Sequence, residues 1–239
     1  MKATILTILV MGVMWQLTST FGNQNIFPSL TTIARELTRC YDVLLVHALH
    51  SIGRVAGGMF FGVLVGVPVG ILLGYYKKLN KMISPSLYIL GPIPKIALLP
   101  IIMLLFGIGE ASKIFIIFII MVFQIILCVR DSVQNIPPEY FVPFYTVKAR
   151  TRDIVKDILI PASCNELFTS LRIGLGTAIS VLFFTETFGT RYGLGHFIMD
   201  SWLRVNYAQM YIGILCLGLI GLMLTAGLDR LDRRIRKWK

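Results

Sequence analysis

Charge is what this sequence has least of. Of its 239 residues only 15% are Asp, Glu, Lys or Arg, while 56% are apolar; soluble domains carry ~25% charge. So little charge cannot cover a soluble core of that apolar content, and a disordered chain would be far more polar. Both classes fall away. Cysteine is also sparse. Cys40, Cys128, Cys164 and Cys216 stand far apart with no C-x-x-C pair, which excludes a disulfide framework and a zinc site. The dipeptide Gly-Lys does not occur, so no G-x-x-x-x-G-K-[ST] loop exists to cradle nucleotide phosphates. Histidine is limited to three residues. His47 and His50 are three apart on a helical pattern, but no third ligand is evident nearby, and they read as bundle or interface histidines. No catalytic constellation remains. The chain reads as a non-enzyme without catalytic residues, metal or cofactor of its own.

What the sequence has instead is long apolar runs. Six of them, residues 3–21, 55–76, 82–106, 114–129, 167–188 and 210–228, predict an all-α integral membrane protein with six transmembrane helices. The first run has no small-x-small cleavage site after it, and Trp15-Gln16 interrupts its apolar centre. It reads as a retained helix rather than a signal peptide. After it, Leu30, Ile33, Ala34 and Leu37 share one helical face, which predicts a short helix lying on the membrane surface. In the second run Gly58, Gly62, Gly66, Gly70 and Gly74 recur every four residues. That spacing lays them along one stripe where a neighbouring backbone can approach closely.

The third run is irregular. Pro85, Pro92, Pro94 and Pro100 interrupt it, and Lys95 places a charge inside it. Unwound backbone at membrane depth survives only against protein or a watery cavity, and a charge there is functional by default. Lys95 therefore either faces a pathway or snorkels to the surface. The fourth run is slightly short and must be extended by its flanks. Residues 130–166 form the longest polar stretch, read as two short helices. Ile154, Val155, Ile158 and Leu159 lie on one face of the second, and Pro161 ends it. Arg172 sits near the start of the fifth span and Glu186 near its end. Tyr76 precedes Lys77, Lys78 and Lys81 as an interfacial aromatic before a basic loop.

Charge asymmetry sets the orientation. With sides numbered alternately, one carries fifteen Lys and Arg (Lys2; Lys77, Lys78, Lys81; Arg130, Lys148, Arg150, Arg152, Lys156; and six in the tail after residue 228) and the other six (Arg35, Arg39, Arg54, Lys113, Arg191, Arg204). By the positive-inside rule both termini are cytoplasmic. The net charge of +11 is then largely topological, and nucleic acid is not expected as a partner.

Several segments resemble the permease subunits of bacterial ABC importers. Lys148-Ala-Arg-Thr-Arg-Asp-Ile-Val-Lys-Asp-Ile-Leu-Ile-Pro161 is similar to the second half of their cytoplasmic E-A-A, Gly, I-x-L-P signature. Ala149, Ile158 and Pro161 match. Lys148 stands where Gly is usual, Val142 where Glu is usual and Ile160 where Leu is usual. Phe27-Pro-Ser29, His47-Ala-Leu-His-Ser-Ile-Gly-Arg54, Gly70-Ile-Leu-Leu-Gly74, Pro92-Ile-Pro94, Ala97-Leu-Leu-Pro100, Phe106-Gly-Ile-Gly-Glu110, Leu171-Arg-Ile-Gly-Leu-Gly176, Glu186 and Gly193-Leu-Gly-His-Phe-Ile-Met199 resemble the nitrate, sulfonate and taurine branch, in the right order.

The resemblance implies a type I ABC importer permease fold in a bacterial or archaeal plasma membrane. It implies an N-terminal helix and external surface helix over residues 1–45, a type-1 transmembrane domain over 46–228 with a coupling loop at 130–166, and a basic cytoplasmic tail at 229–239. Two permease copies would form the pathway, with two ATPase subunits carrying ATP and an external solute-binding protein delivering substrate. A short helix over 146–152, with Thr146, Lys148, Ala149, Arg150 and Arg152, would dock on the ATPase, supported by Ile158 and Pro161. Pro94, Lys95 and Glu186 are the pathway candidates. Nitrate, sulfonate or taurine leads as substrate, with a pyrimidine or other vitamin precursor second. A stand-alone channel or secondary transporter is the rival class; it would more often carry internal repeats and several buried ionisable groups.

Overall fold

Every regular element among the described residues is helical. That follows from the sequence: in lipid each backbone N–H and C=O must be satisfied within the chain, and a helix does this locally. The structure, a computed structural model, describes residues 2–23 and 25–235; of residues 2–5 and 8 only the backbone is described. The elements are α1 (Lys2–Phe21), α2 (Leu30–Tyr75), α3 (Lys77–Leu90), a 3-10 turn at Lys95–Leu98, α4 (Leu99–Phe106), α5 (Glu110–Gln134), α6 (Val142–Thr146), α7 (Thr151–Ile154), a π-helical turn at Val155–Leu159, α8 (Ile160–Glu186), α9 (Leu194–Leu203) and α10 (Tyr207–Ile235).

Four helical stretches are long and apolar enough to cross a membrane: Leu30–Tyr75, Glu110–Gln134, Thr151–Glu186 and Tyr207–Ile235. The pair Lys77–Leu90 and Lys95–Phe106, bent by 84°, adds a fifth as a broken span. The sixth expected span falls on α1, whose described apolar part is Leu9–Phe21.

Three expectations need correction. The separate surface helix predicted from Leu30 is instead the first part of α2, which runs unbroken for 46 residues. Its polar residues sit at helical spacing, and no glycine or proline stops the helix before it reaches the apolar run. Residues 130–134 and 160–166 belong to α5 and α8, so the loop between spans is shorter than the predicted 130–166. Pro161 does not end a helix. It is the second residue of α8, directly after the π-turn, where a wider turn accommodates its missing N–H. The predicted basic tail is also helical as far as Ile235; Arg236, Lys237 and Lys239 lie outside the described residues.

The chain divides into two compact units, one of 1–52 with 183–220 and one of 53–182 with 221–239. In the larger, the glycine stripe finds its partner. A Cβ on Gly62 would meet Met121, on Gly66 Ile125, on Gly70 Val129 and on Gly74 Val133, at 2.5–2.9 Å. Both helices advance by four residues per contact in the same direction, so α2 and α5 are parallel there. The chain must return between them, and only the bent pair α3–α4 lies between them in sequence. The broken span is therefore a true crossing. The contacts of α5 with α8 run the opposite way: Gln124 donates to Ser170 O (3.2 Å), Cys128 to Glu166 O (3.1 Å) and Ser132 to Ala162 O (3.3 Å). These two helices are antiparallel. Leu73, Leu87, Val122 and Ile126 form a buried cluster joining α2, α3 and α5.

In the smaller unit, the residues that interrupt the first apolar run are those that dock it. Trp15 Nε1 donates to Pro28 O (3.0 Å), its ring packs edge-on against Tyr211 at 4.7 Å, and Gln16 Oε1 accepts the Leu30 N–H at 3.3 Å.

Candidate functional site

The break at residues 91–94 gives Lys95 its place. Pro92 and Pro94 supply no N–H and disfavour helix in the residues before them, so the last carbonyls of α3 are left open. Lys95 folds back onto them, with Nζ 2.9 Å from Gly91 O, 3.4 Å from Leu90 O and 3.5 Å from Ile93 O. A cation at a helix C-terminus is favoured by the helix dipole. Nζ also lies 5.1 Å from the centroid of the Phe123 ring. Phe123 is next to the middle residue of α5, Glu110–Gln134, with the ends of α5 ~20 Å and ~17 Å away. The ammonium is thus near mid-height of α5, a helix long and apolar enough to span. A cavity of about 420 Å³ opens beside it. The broken segment contributes Gly91, Ile93, Lys95 and Ile96; α5 and α8 complete the walls. This is the setting that unwound backbone at membrane depth requires. Pro94 adjoins the cavity but does not line it.

Glu186 belongs to the smaller unit and is fully buried. Ser51 Oγ donates toward it, 2.8 Å from Oε1 and 2.9 Å from Oε2, and Gly195 N donates to Oε2 at 2.8 Å. The same Ser51 Oγ accepts the Leu194 N–H at 2.8 Å, while His47 Nδ1 lies 3.0 Å from Gly193 N. These bonds satisfy donors at the start of α9, and the carboxylate complements the positive end of its dipole. A Cβ on Gly195 would come within 2.7 Å of Glu186 Cβ, so the closeness depends on glycine. Glu186 is held as the anchor of α9.

The segment between α5 and α8 differs from the predicted 146–152 helix. The helix is α6, and residues 147–150 are a turn. Ala149 N donates to Phe144 O (2.9 Å) and Lys148 N to Tyr145 O (3.1 Å). That pair of bonds is the Schellman helix ending, whose penultimate residue must adopt positive φ. Lys148 does so, with φ 50°. The usual Gly at this position has a plain physical reason, and this chain meets the same geometry with Lys. Arg150 N then donates to Asp153 Oδ2 (3.1 Å), starting α7. Thr146 is tied to Val142 O (2.9 Å). Tyr140, Val142, Tyr145 and Val147 are exposed beside the exposed Lys148, Arg150 and Arg152. Ala149 is half-buried and Pro161 exposed, whereas Ile158 is buried and anchors the segment from below.

Sequence reasoning missed three buried cations. Arg54 and Lys113, counted as loop charges, are each 1% exposed. Arg54 grips Glu110 with both ends of its guanidinium, at 2.6 and 2.5 Å, while Lys113 donates to Gly109 O at 3.1 Å. Arg130 is also buried and donates to Ser84 and Tyr88, both at 3.1 Å, bridging α5 to α3. The signal available for Arg130 was its spacing from the apolar face of α5. Arg172 pairs with Asp229 (2.9 Å) and Asp232 (3.2 Å) of α10.

Residues 66–237 match the family model described as binding-protein-dependent transport system inner membrane component. A protein of Methanocaldococcus jannaschii named as an ABC transporter permease is 32% identical over 238 residues, 95% of this chain and 88% of the relative. The taurine transport system permease protein of Escherichia coli is 28% identical over 215 residues, 90% of this chain and 78% of that one. Among solved structures, a chain of the MetNI methionine ABC transporter in inward-facing conformations superposes with TM-score 0.71 at 20% identity, over 83% of this chain and 99% of that chain. That last likeness is one of fold.

Proposed function

The chain belongs to the family of binding-protein-dependent transport system inner membrane components, and from that premise we propose that it is the membrane-spanning permease of an ATP-driven importer for a small solute of the nitrate, sulfonate or taurine type. The observation that carries the coupling role is the exposed turn held between two spanning helices. α6 and its Schellman ending present Tyr145, Val147, Lys148, Arg150 and Arg152 outward. α5 enters this segment and the α7–α8 stretch leaves it, so a push on the turn reaches both spans directly. The partner is a pair of ATPase subunits, which carry the nucleotide. A second copy of this chain completes the pathway, and a solute-binding protein on the far side delivers the solute. Both termini and the turn lie in the cytoplasm in this reading, as the excess of Lys and Arg on that side supports. The similarity to a taurine permease supports the substrate class.

The test is co-purification. The tagged chain is expressed with its candidate ATPase and extracted in mild detergent. ATPase activity should co-elute with the wild-type chain and be lost when residues 142–150 are replaced by a Gly/Ser linker of equal length. Co-elution that survives this replacement would refute coupling through the turn.

A further inference from the structure

The cavity beside the helix break has one ionisable side chain in its wall, Lys95. No carboxylate lines it among the described residues. Gln124 and Thr177 are its other polar side chains, and Ile93, Ile120, Phe123, Leu127 and Val181 give it apolar faces. The Gln124 amide nitrogen is already directed at Ser170 O. Lys95 therefore supplies the charge of the cavity, in an apolar setting near mid-membrane where an electrostatic contact is less screened than in water. Its ammonium makes one short bond, to Gly91 O at 2.9 Å, and two long ones at 3.4 and 3.5 Å. An ammonium has three donors, so the long contacts can be exchanged for an acceptor with full negative charge while the short one holds the end of α3.

We propose that this cavity is a binding station for a solute that carries one anionic group on a short apolar body, with Lys95 as the counter-charge and the side chains of α5 and α8 around the body. A cation is rejected by the same charge. Lys95 would alternate between the carbonyls of the break and the passing anion, so the positive charge is never left without a partner at that depth. The importer reading is needed only to place this station on a solute's route. Binding itself can be read on the chain alone.

The probe is ethanesulfonate, with ethyltrimethylammonium as a cation of similar size. Each is titrated by ligand-observed NMR against the full chain in mild detergent at constant chloride. Ethanesulfonate should bind saturably and the cation should not. Lys95→Met should weaken binding by about 10- to 100-fold, the loss expected for one charge-assisted bond, and Lys95→Arg should retain it. Thr177→Phe, which narrows the cavity from an exposed position of α8 and keeps the charge, should weaken binding too. The proposal is overturned if the folded wild-type chain does not bind ethanesulfonate, if it binds both ions alike, or if Lys95→Met binds as wild type does. Should Lys95→Met not fold, Thr177→Phe decides: unchanged affinity there places the anion elsewhere. ATPase co-elution is a separate readout, so failure of the station and failure of the importer reading are distinguishable.

Discussion

Two side chains occupy a backbone conformation that suits glycine. Lys148 has φ 50° and Val205 has φ 58°. Val205 ends α9 as Lys148 ends α6: Asn206 N donates to Ser201 O (2.9 Å) and Val205 N to Trp202 O (3.0 Å), again the Schellman pattern. A left-handed residue with a Cβ costs about 1–2 kcal/mol, and glycine returns part of that in unfolded-state entropy. Lys148→Gly should therefore raise stability by about 0.5–1 kcal/mol in thermal unfolding, and Val205→Gly, which removes a β-branched side chain, by somewhat more. Val205→Gly also serves as a control for coupling. If Lys148 is matched to its ATPase through charge, Lys148→Gly and Lys148→Glu should lower coupled hydrolysis while Val205→Gly leaves it unchanged. Equal rates in all three would remove any special role for Lys148. At Glu186 the expectation is structural. Glu186→Ala leaves buried donors from Ser51 and Gly195 without their acceptor, a loss of about 1–3 kcal/mol. Glu186→Gln keeps an acceptor and should lose less. Wild-type stability with lost uptake in Glu186→Gln would return this residue to the solute's route. The letter at position 148 was legible in the sequence as a departure from the family. The bonds of Glu186 were not, because Ser51 lies 135 residues away along the chain and no local pattern encodes that meeting.

At the scale of elements, the glycine stripe carries the clearest energetic claim. A methyl on Gly70 would sit 2.8 Å from Val129 Cβ and 3.0 Å from Ile126 O. The second of these is backbone and cannot turn aside. Gly70→Ala should therefore cost about 1–3 kcal/mol by overpacking. Gly218, in α10, has nothing within 4 Å of its missing Cβ, so Gly218→Ala should be neutral or stabilising by up to about 1 kcal/mol, the helix propensity difference. Thermal melts of the two variants in the same detergent check this; equal melting points would mean that α2 and α5 do not touch along the stripe. The four-residue period was visible in the sequence, as was the breakage around Pro92 and Pro94. The partner of the stripe was not, since Ile117, Met121, Ile125 and Val129 belong to an apolar run with no face marked by small residues, and Val133 lies in the polar stretch after it. Helix ends were read poorly for a different reason. Arg35, Glu36, Arg39 and Arg54 look like loop residues by polarity, yet each is compatible with helix. Pro161 looks like a stop, yet it is tolerated next to a π-turn.

At the scale of the whole molecule, chain direction follows from which residues meet. α2 and α5 are parallel along the stripe, and α5 and α8 are antiparallel along the Gln124, Cys128 and Ser132 bonds. Arg172 meets Asp229, while a Cβ on Gly221 would meet Ile179 (2.8 Å), so α8 and α10 are antiparallel as well. This order requires the short bent pair α3–α4 to cross the membrane, although neither of its helices is long enough to do so alone. The loop at Ile108 and the turn at Tyr140 must then lie on opposite sides. Both are exposed, at 68% and 64%, which makes them suitable for labelling. Cys40, Cys128, Cys164 and Cys216 are free thiols and would be replaced by Ser or Ala first. In intact cells, Ile108→Cys should react with a membrane-impermeant maleimide, and Tyr140→Cys should react only after permeabilisation. The positive-inside count predicts the same sides, but it rests on charges, three of which, Arg54, Lys113 and Arg130, prove to be buried. The contact directions do not use charge at all. Tyr76, 46% exposed between α2 and α3, supplies the reference: labelling of Ile108→Cys from the same side as Tyr76→Cys would show that residues 77–106 form a re-entrant loop, and then α2 and α5 could not be parallel, the glycine stripe would lose its partner, and the cavity at Lys95 would no longer sit at mid-height of a spanning helix.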